Sequence, residues 1–405
     1  MTTVPRSPAT EGSPLGFTVP LAASLDVAAL RAAEFPWAAE RIYLDAASIG
    51  PLPERTVRVL EAFNRRRSRP WELGASDLFD NFELSRARIA RLIHADPLEI
   101  ALSPNTSFGL GLAARALPLS PGDVIVASER EFPSNVYPWM RLEDRGVRLE
   151  LVPVTAEGWP DEARLLERIE DPRVRILAVS LTQFSNGYTV DLDALSRATR
   201  RTGTMLVVDA IQAVGQLPVD LARTPVDLLS CGGQKWLLSP WGSGFIYVRK
   251  ELIGKLDPAI TGWMAFEGTD DFSRLTRYNP SLRPDARRFE LITLPFQDFA
   301  GMNASLELLE EVGIERIAAH LREIQAPVLD WARRRGVRVT SPVDRHGSGI
   351  LCIAPDEPAA VHQALRQAGV TCSLREGSLR LSPHCYTTAS DMERVAEILE
   401  ARVRR

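Results

Sequence analysis

The chain has 405 residues, 45% hydrophobic and 25% charged, with a net charge of −4. That length exceeds the roughly 250–300 residues at which a single core stops growing, so two domains are expected. The charge balance gives no case for nucleic acid or membrane as a partner, no apolar run approaches the ~18 residues of a membrane helix, and four cysteines without ligand spacing argue against a bound metal and suit a reducing, cytoplasmic setting.

Residues 1–40 are expected to form an N-terminal arm, of which 1–16, rich in Pro, Ser, Thr and Gly, reads as a mobile tail. Arg41-Ile42-Tyr43-Leu44-Asp45 is a short strand, ended by Ala46-Ala47-Ser48-Ile49-Gly50-Pro51. Residues 53–69 and 77–94 show the helical spacing of apolar positions, with Asp77 where an N-cap would stand. The run Arg65-Arg66-Arg67-Ser68-Arg69 reads as a solvated helix face. Ile100-Ala101-Leu102 is a strand that leads through Ser103-Pro104-Asn105-Thr106-Ser107 into a small-residue helix at 108–116. Further strands are expected at 123–127, 148–154, 175–181, 205–208 and 244–248. Continuous Val/Ile/Leu runs separated by helices imply a mostly parallel sheet covered on both faces, giving an α/β domain over 41–295. Residues 298–335 read as one long helical segment. Short strands at 337–339, 349–353, 370–372 and 379–381, with helices at 357–368 and 390–402, then suggest a smaller C-terminal α+β domain over 296–405.

In such a sheet, ligands sit outside the carboxyl ends of the strands, so the polar residues there are the candidates. Val226-Asp227-Leu228-Leu229-Ser230-Cys231-Gly232-Gly233-Gln234-Lys235-Trp236 is an apolar run that breaks into a Gly-Gly turn and delivers Lys235. Met205-Leu206-Val207-Val208 ends in Asp209. A strand ending in a carboxylate and a strand ending in a lysine are what pyridoxal 5'-phosphate (PLP) chemistry needs. The amine holds the cofactor aldehyde as a Schiff base, and the carboxylate keeps the pyridine nitrogen protonated. Thr106 and Ser107 open a helix, where N–H groups and hydroxyls can hold phosphate. Phe132 follows another strand end and could stack on a flat ring; Asn186 and Gln212 follow two more. Singly, each has a plainer reading as a cap, a turn or loop packing. The conjunction carries the case.

The segments Tyr43-Leu44-Asp45-Ala46-Ala47, Val207-Val208-Asp209-Ala210-Ile211-Gln212-Ala213, Gly232-Gly233-Gln234-Lys235-Trp236 and Ala286-Arg287-Arg288-Phe289-Glu290 resemble the class V PLP-dependent aminotransferase family. Its members include cysteine desulfurases, isopenicillin N epimerase and, more distantly, kynureninase. The resemblance spans roughly residues 40–400 and implies the PLP-transferase fold type I and a homodimer with active sites at the subunit interface. It implies that Lys235 binds the cofactor and moves protons, that Asp209 pairs with the pyridinium, and that Phe132 stacks on the ring. Asn186 would face the phenolic oxygen with Gln212 beside it, and Thr106, Ser107 and Gln234 would contact phosphate. Arg380 would grip the substrate α-carboxylate through two parallel hydrogen bonds. Thr293 stands where the family places a phosphate contact from the neighbouring subunit, although Ile292-Thr293 replaces the usual Gly-Thr. Trp263, His384, Tyr386 and Tyr278 stay open between site and packing roles.

The expected chemistry is attack on an α-amino acid through an external aldimine and a quinonoid. Transamination comes first by family frequency, then β-elimination or C–S cleavage, then epimerisation; a PLP-fold protein without catalysis is the remaining alternative. Persulfide-forming desulfuration needs a mobile cysteine before the carboxylate-binding arginine. The segment Ser373-Leu374-Arg375-Glu376-Gly377-Ser378-Leu379-Arg380 has none, and Cys372 reads as core.

Overall fold

The computed structural model describes residues 25–258, 260–291 and 293–403; the expected mobile tail lies outside them. Strand β1 (Ile42–Tyr43) stands apart from the main sheet, which is built from β2 (Ile100–Ser103), β3 (Val124–Ser128), β4 (Arg148–Val152), β5 (Val174–Ser180), β6 (Met205–Asp209), β7 (Leu228–Gly232) and β8 (Gly244–Val248). Their order is β2-β8-β7-β6-β5-β3-β4. Strand β8 runs antiparallel to both neighbours and every other pair is parallel. The fold is therefore α/β, with a mostly parallel central sheet.

Strands β3, β7 and β8 are buried at every residue, which explains why their sequences run apolar without alternation. Successive side chains still go to opposite faces. Leu102, Val126, Leu177, Val208 and Leu229 enter one core, and Ala101, Ile125, Ile176, Val207 and Leu228 enter the other. Parallel neighbours need crossovers, and these are well capped. Asp191 accepts from Ala194 N–H at the start of helix Leu192–Thr202, and Gly203, at φ 76°, closes it. The Ala286-Arg287-Arg288-Phe289-Glu290 stretch buttresses the sheet edge. Glu290 takes two hydrogen bonds from Arg86, at 3.0 and 2.7 Å, and the Leu102 N–H at 2.8 Å.

Two expectations change. Asp77 is not the N-cap: helix Ala75–Leu92 starts from Gly74, and Asp77 reaches back to accept the Gly74 N–H at 2.9 Å. The segment 298–335 is three helices, Phe296–Val312, Ile314–Ile324 and Ala326–Arg335. Gly313, at φ 85°, ends the first, and Pro327 opens the third, where its missing N–H costs nothing. Helix Phe296–Val312 lies against helices Glu54–Arg67 and Ala75–Leu92, with Ser305 bonded to Thr56 and Asn303 to Ser85.

The second sheet holds β9 (Arg338–Val339), β10 (Leu351–Ala354), β12 (Ser373–Arg375) and β13 (Ser378–Leu381), all antiparallel in the order β12-β13-β10-β9. Strand β11 (Val370–Thr371) pairs parallel with β1, and Asp45 bridges to Ser382 just beyond β13. The early segment 42–47 is thus sewn to the C-terminal strands. Among the described residues no helix is long and apolar enough to cross a membrane.

Candidate active site

At the end of β7 the chain turns through Gly232 and Gly233 into Gln234 and Lys235. A Cβ on Gly232 would lie 2.5 Å from Gln234 Oε1, and one on Gly233 would lie 2.8 Å from Ser243 Oγ. Gly50 backs the turn from the other side. Its N–H donates to Gln234 O at 2.8 Å, and a Cβ there would sit 1.9 Å from Lys235 O. The Lys235 amine stands 5.5 Å from the Phe132 ring centroid and shares no hydrogen bond or ion pair within the described residues. Burial pulls its pKa down to about 8, against the attraction of Asp209 and with the help of Arg380 and Arg375.

Asp209 ends β6, the strand beside β7, and is 2% exposed. Ile211 N–H donates to its Oδ1 at 3.1 Å, and its other oxygen has no hydrogen bond among the described residues. Burial pushes this carboxyl up to about 6, although the Ile211 hydrogen bond and Lys235 pull the other way. Phe132, after β3, keeps 38% of its surface exposed and meets Phe184 edge-on at 5.2 Å. Its neighbour Glu131, which the sequence reading passed over, anchors this loop to the end of β5. Glu131 accepts from Ser180 N–H at 2.9 Å, Gln183 Nε2 at 2.7 Å, Asn135 Nδ2 at 3.1 Å, and the Ser180 hydroxyl. Burial raises its pKa. Only its place beside a strand end could have flagged it.

Thr106 and Ser107 are the first two residues of helix Thr106–Ala116, capped by Asn105, which accepts the Phe108 N–H at 2.9 Å. The N–H groups of Thr106 and Ser107 have no acceptor within the helix. Thr106 Oγ1 accepts the Gly232 N–H at 2.9 Å, tying the helix start to the lysine turn; Ser107 Oγ lies 2.7 Å from Ser134 Oγ. The Asn186 and Gln212 amides are each engaged at both ends. Asn186 donates to Gly158 O and accepts from Tyr188 N–H. Gln212 donates to Ala47 O at 3.0 Å and accepts from Trp236 Nε1 at 2.8 Å, so it braces the residue next to Lys235.

Arg380, on β13, is 2% exposed. Its Nη1 donates to Phe184 O at 2.9 Å, and its Nη2 donates to Ser48 Oγ at 2.5 Å and pairs with Asp45 at 3.3 Å. Nε is buried and has no acceptor among the described residues. Neither Asp45 nor Ser48 drew notice as a site residue in the sequence. Thr293 is exposed, and no hydrogen bond joins it to the other candidates. Trp263 is 43% exposed and touches Phe272 edge-on. His384 is fully buried: Nδ1 accepts the Cys385 N–H, which leaves Nε2 to donate to Trp236 O at 3.0 Å. Burial lowers its pKa to about 4, so it is a neutral brace. All four cysteines are buried, and burial pushes the thiols of Cys352 and Cys372 up to about 12, far from thiolate chemistry.

A lysine and a carboxylate on adjacent strand ends of an α/β sheet, with a helix start and an aromatic ring beside them, define a PLP-dependent enzyme of fold type I. The family Aminotransferase class-V matches residues 42–395, and this chain belongs to it. An uncharacterized aminotransferase of Bacillus subtilis is 28% identical over 326 residues, covering 80% of this chain and 85% of the relative. A probable cysteine desulfurase of Methanothermobacter thermautotrophicus is 27% identical over 397 residues, covering 91% and 96%. The apo cysteine desulfurase structure from Thermococcus onnurineus superposes with a TM-score of 0.84 at 22% identity, covering 95% of this chain and 99% of that one.

Pyridoxal 5'-phosphate is the cofactor of this family, and the residues here fit it. Asp209 offers a desolvated carboxylate with one oxygen unbonded, suited to a pyridinium N–H. Phe132 offers an open ring face, and Lys235 an unpaired amine. The start of helix Thr106–Ala116 offers unbonded N–H groups for a phosphate.

Proposed function

We propose that this chain transfers the amino group of an α-amino acid to a 2-oxo acid. The observation that carries the reading is a desolvated amine at Lys235 and a desolvated carboxylate at Asp209 at the ends of neighbouring parallel strands. The bound cofactor supplies an electron sink for the substrate α-carbon.

Lys235 binds the cofactor and then carries the α-proton. Its lowered pKa keeps a working share of neutral amine near neutral pH, as a general base requires. Asp209 holds the proton on the ring nitrogen, and Phe132 covers the ring face. Thr106, Ser107 and Gln234 hold the phosphate by hydroxyl, amide and N–H groups, with Thr293 of a second copy contributing from across the interface. Asn186 and Gln212 fix the walls beside the phenolic oxygen. Arg380, held by Asp45, Ser48 and Phe184, orients the substrate by its α-carboxylate. Exposed aromatics at Trp71, Trp241 and Tyr278 support a homodimer, and four unpaired thiols support a reducing, cytoplasmic setting.

A second reading is cleavage of a C–S bond at the β-carbon, favoured by the relative named a probable cysteine desulfurase. It would have to run without a cysteine nucleophile, because the thiols are buried. Incubation of the holoenzyme with the common amino acids, with and without a 2-oxo acid, separates the two. Amino transfer gives a new 2-oxo acid only when an acceptor is present. Release of sulfide or a thiol without an acceptor overturns transfer in favour of cleavage. Lys235→Ala abolishes either activity, and an active Lys235→Ala protein sinks both readings.

A further inference from the structure

Hairpin β12–β13 carries two arginines on one face. Ser373 pairs with Arg380, and Arg375 with Ser378. Alternate residues of a strand share a face, so Arg375 and Arg380 stand on the same side. Ser48 joins them: its Oγ lies 2.5 Å from Arg380 Nη2 and 3.4 Å from Arg375 Nη2. The hairpin tip is fixed by a two-residue turn, Glu376-Gly377, with both residues at positive φ. Both guanidinium charges also press on the Lys235 amine.

The two arginines differ in what they hold. Arg380 is buried and already has an acid partner, Asp45. Arg375 is exposed and bonds only the Leu374 carbonyl and the Ser48 hydroxyl; no carboxylate lies within ion-pair range among the described residues. An acid-free guanidinium on the same face as Arg380, and joined to it through Ser48, is arranged for a ligand with two acid groups.

We propose that Arg375 is a second carboxylate-binding residue of this site and that the substrates are dicarboxylic amino acids of aspartate or glutamate length. The inference rests on the reading above, in which Arg380 takes the α-carboxylate. The distal carboxylate reaches Arg375, and Ser48 keeps the two guanidinium groups at a fixed spacing. An amino acid with a neutral side chain leaves Arg375 without its partner, which is how a polar site discriminates between ligands of equal length.

The test is calorimetric binding of glutarate and of pentanoate, which match in chain length and differ in one acid group, to the holoenzyme at low salt. Glutarate should bind roughly 10- to 100-fold tighter, as expected for a charge-assisted hydrogen-bonded pair. Arg375→Ala should bring that ratio below about threefold, and Arg375→Lys should leave it intermediate. Equal binding in the wild type, or a ratio that survives Arg375→Ala, overturns the proposal. Neither acid reacts, so the result does not depend on whether the enzyme transfers amines or cleaves C–S bonds. Equal binding of the two acids by a wild type that still turns over amino acids sinks Arg375 alone. A wild type that prefers glutarate, loses the preference in Arg375→Ala, and turns over no amino acid sinks the functional reading alone.

Discussion

Lys235→Met in the cofactor-free protein should stabilise the fold while abolishing function. Burial lowers the Lys235 pKa from 10.5 to about 8, so between those values the folded chain binds fewer protons than the unfolded one. Wild-type stability therefore rises with pH across that window, and the whole penalty stands below pH 8. At 1.36 kcal/mol per pH unit the penalty is about 3 kcal/mol at pH 7. The value of about 8 already includes the attraction to Asp209, so the expected gain is on the order of the penalty itself, about 3 kcal/mol. Methionine keeps the unbranched apolar stem and drops the terminal amine. Denaturant unfolding of cofactor-free wild type and variant, at pH 7 and again near pH 10, measures the gap. The variant should be the more stable at pH 7, with its advantage shrinking toward pH 10. A less stable variant at pH 7, or a gap that does not change with pH, would refute the idea that the amine is held in an unfavourable charge state. Such a cost, kept for function, is a stability–activity trade-off.

Gly50→Ala should destabilise by about 1–3 kcal/mol or more, because the added methyl meets the backbone carbonyl of Lys235; a lower Tm and faster cofactor loss on dialysis would show it. Arg86→Met should cost about 3–5 kcal/mol in denaturant unfolding, since it strands the Glu290 carboxylate in a buried position where, among the described residues, the Leu102 N–H is the one remaining donor. Iodoacetamide at pH 8 should leave all four thiols of the native protein unmodified and label them after unfolding, as mass spectrometry will record. Fast native labelling of any of them would reopen a cysteine-based mechanism.

Much of the site was legible because each candidate follows a strand whose burial forces an apolar run. Where such a run stops at Asp209 or at Gly232-Gly233, the polar residue that follows must stand at the sheet edge, and the structure has Asp209 ending β6 and Lys235 just past β7. Strand order was not legible. Nothing local in Gly244-Phe245-Ile246-Tyr247-Val248 says that β8 runs backwards between β7 and β2, because an all-buried strand reads the same in either direction. The partition of 298–335 was missed because Leu, Glu, Ala and Arg keep helical spacing through Gly313, whose positive φ breaks the axis without breaking the pattern. Long-range braces were beyond reach as well. Ser48 and Asp45 lie more than three hundred residues from Arg380, and only the folded chain brings them together.

The parallel pairing of β1 with β11, and the bridge from Asp45 to Ser382, set an order of events at the ribosome. Strand β1 leaves the exit tunnel early but has no strand to pair with until β11 follows it out. A nascent chain therefore exposes Lys235 to the solvent long before Arg380 has been made. Under the roles proposed for Lys235 and Arg380, the substrate grip is the last part of the site to be completed in synthesis.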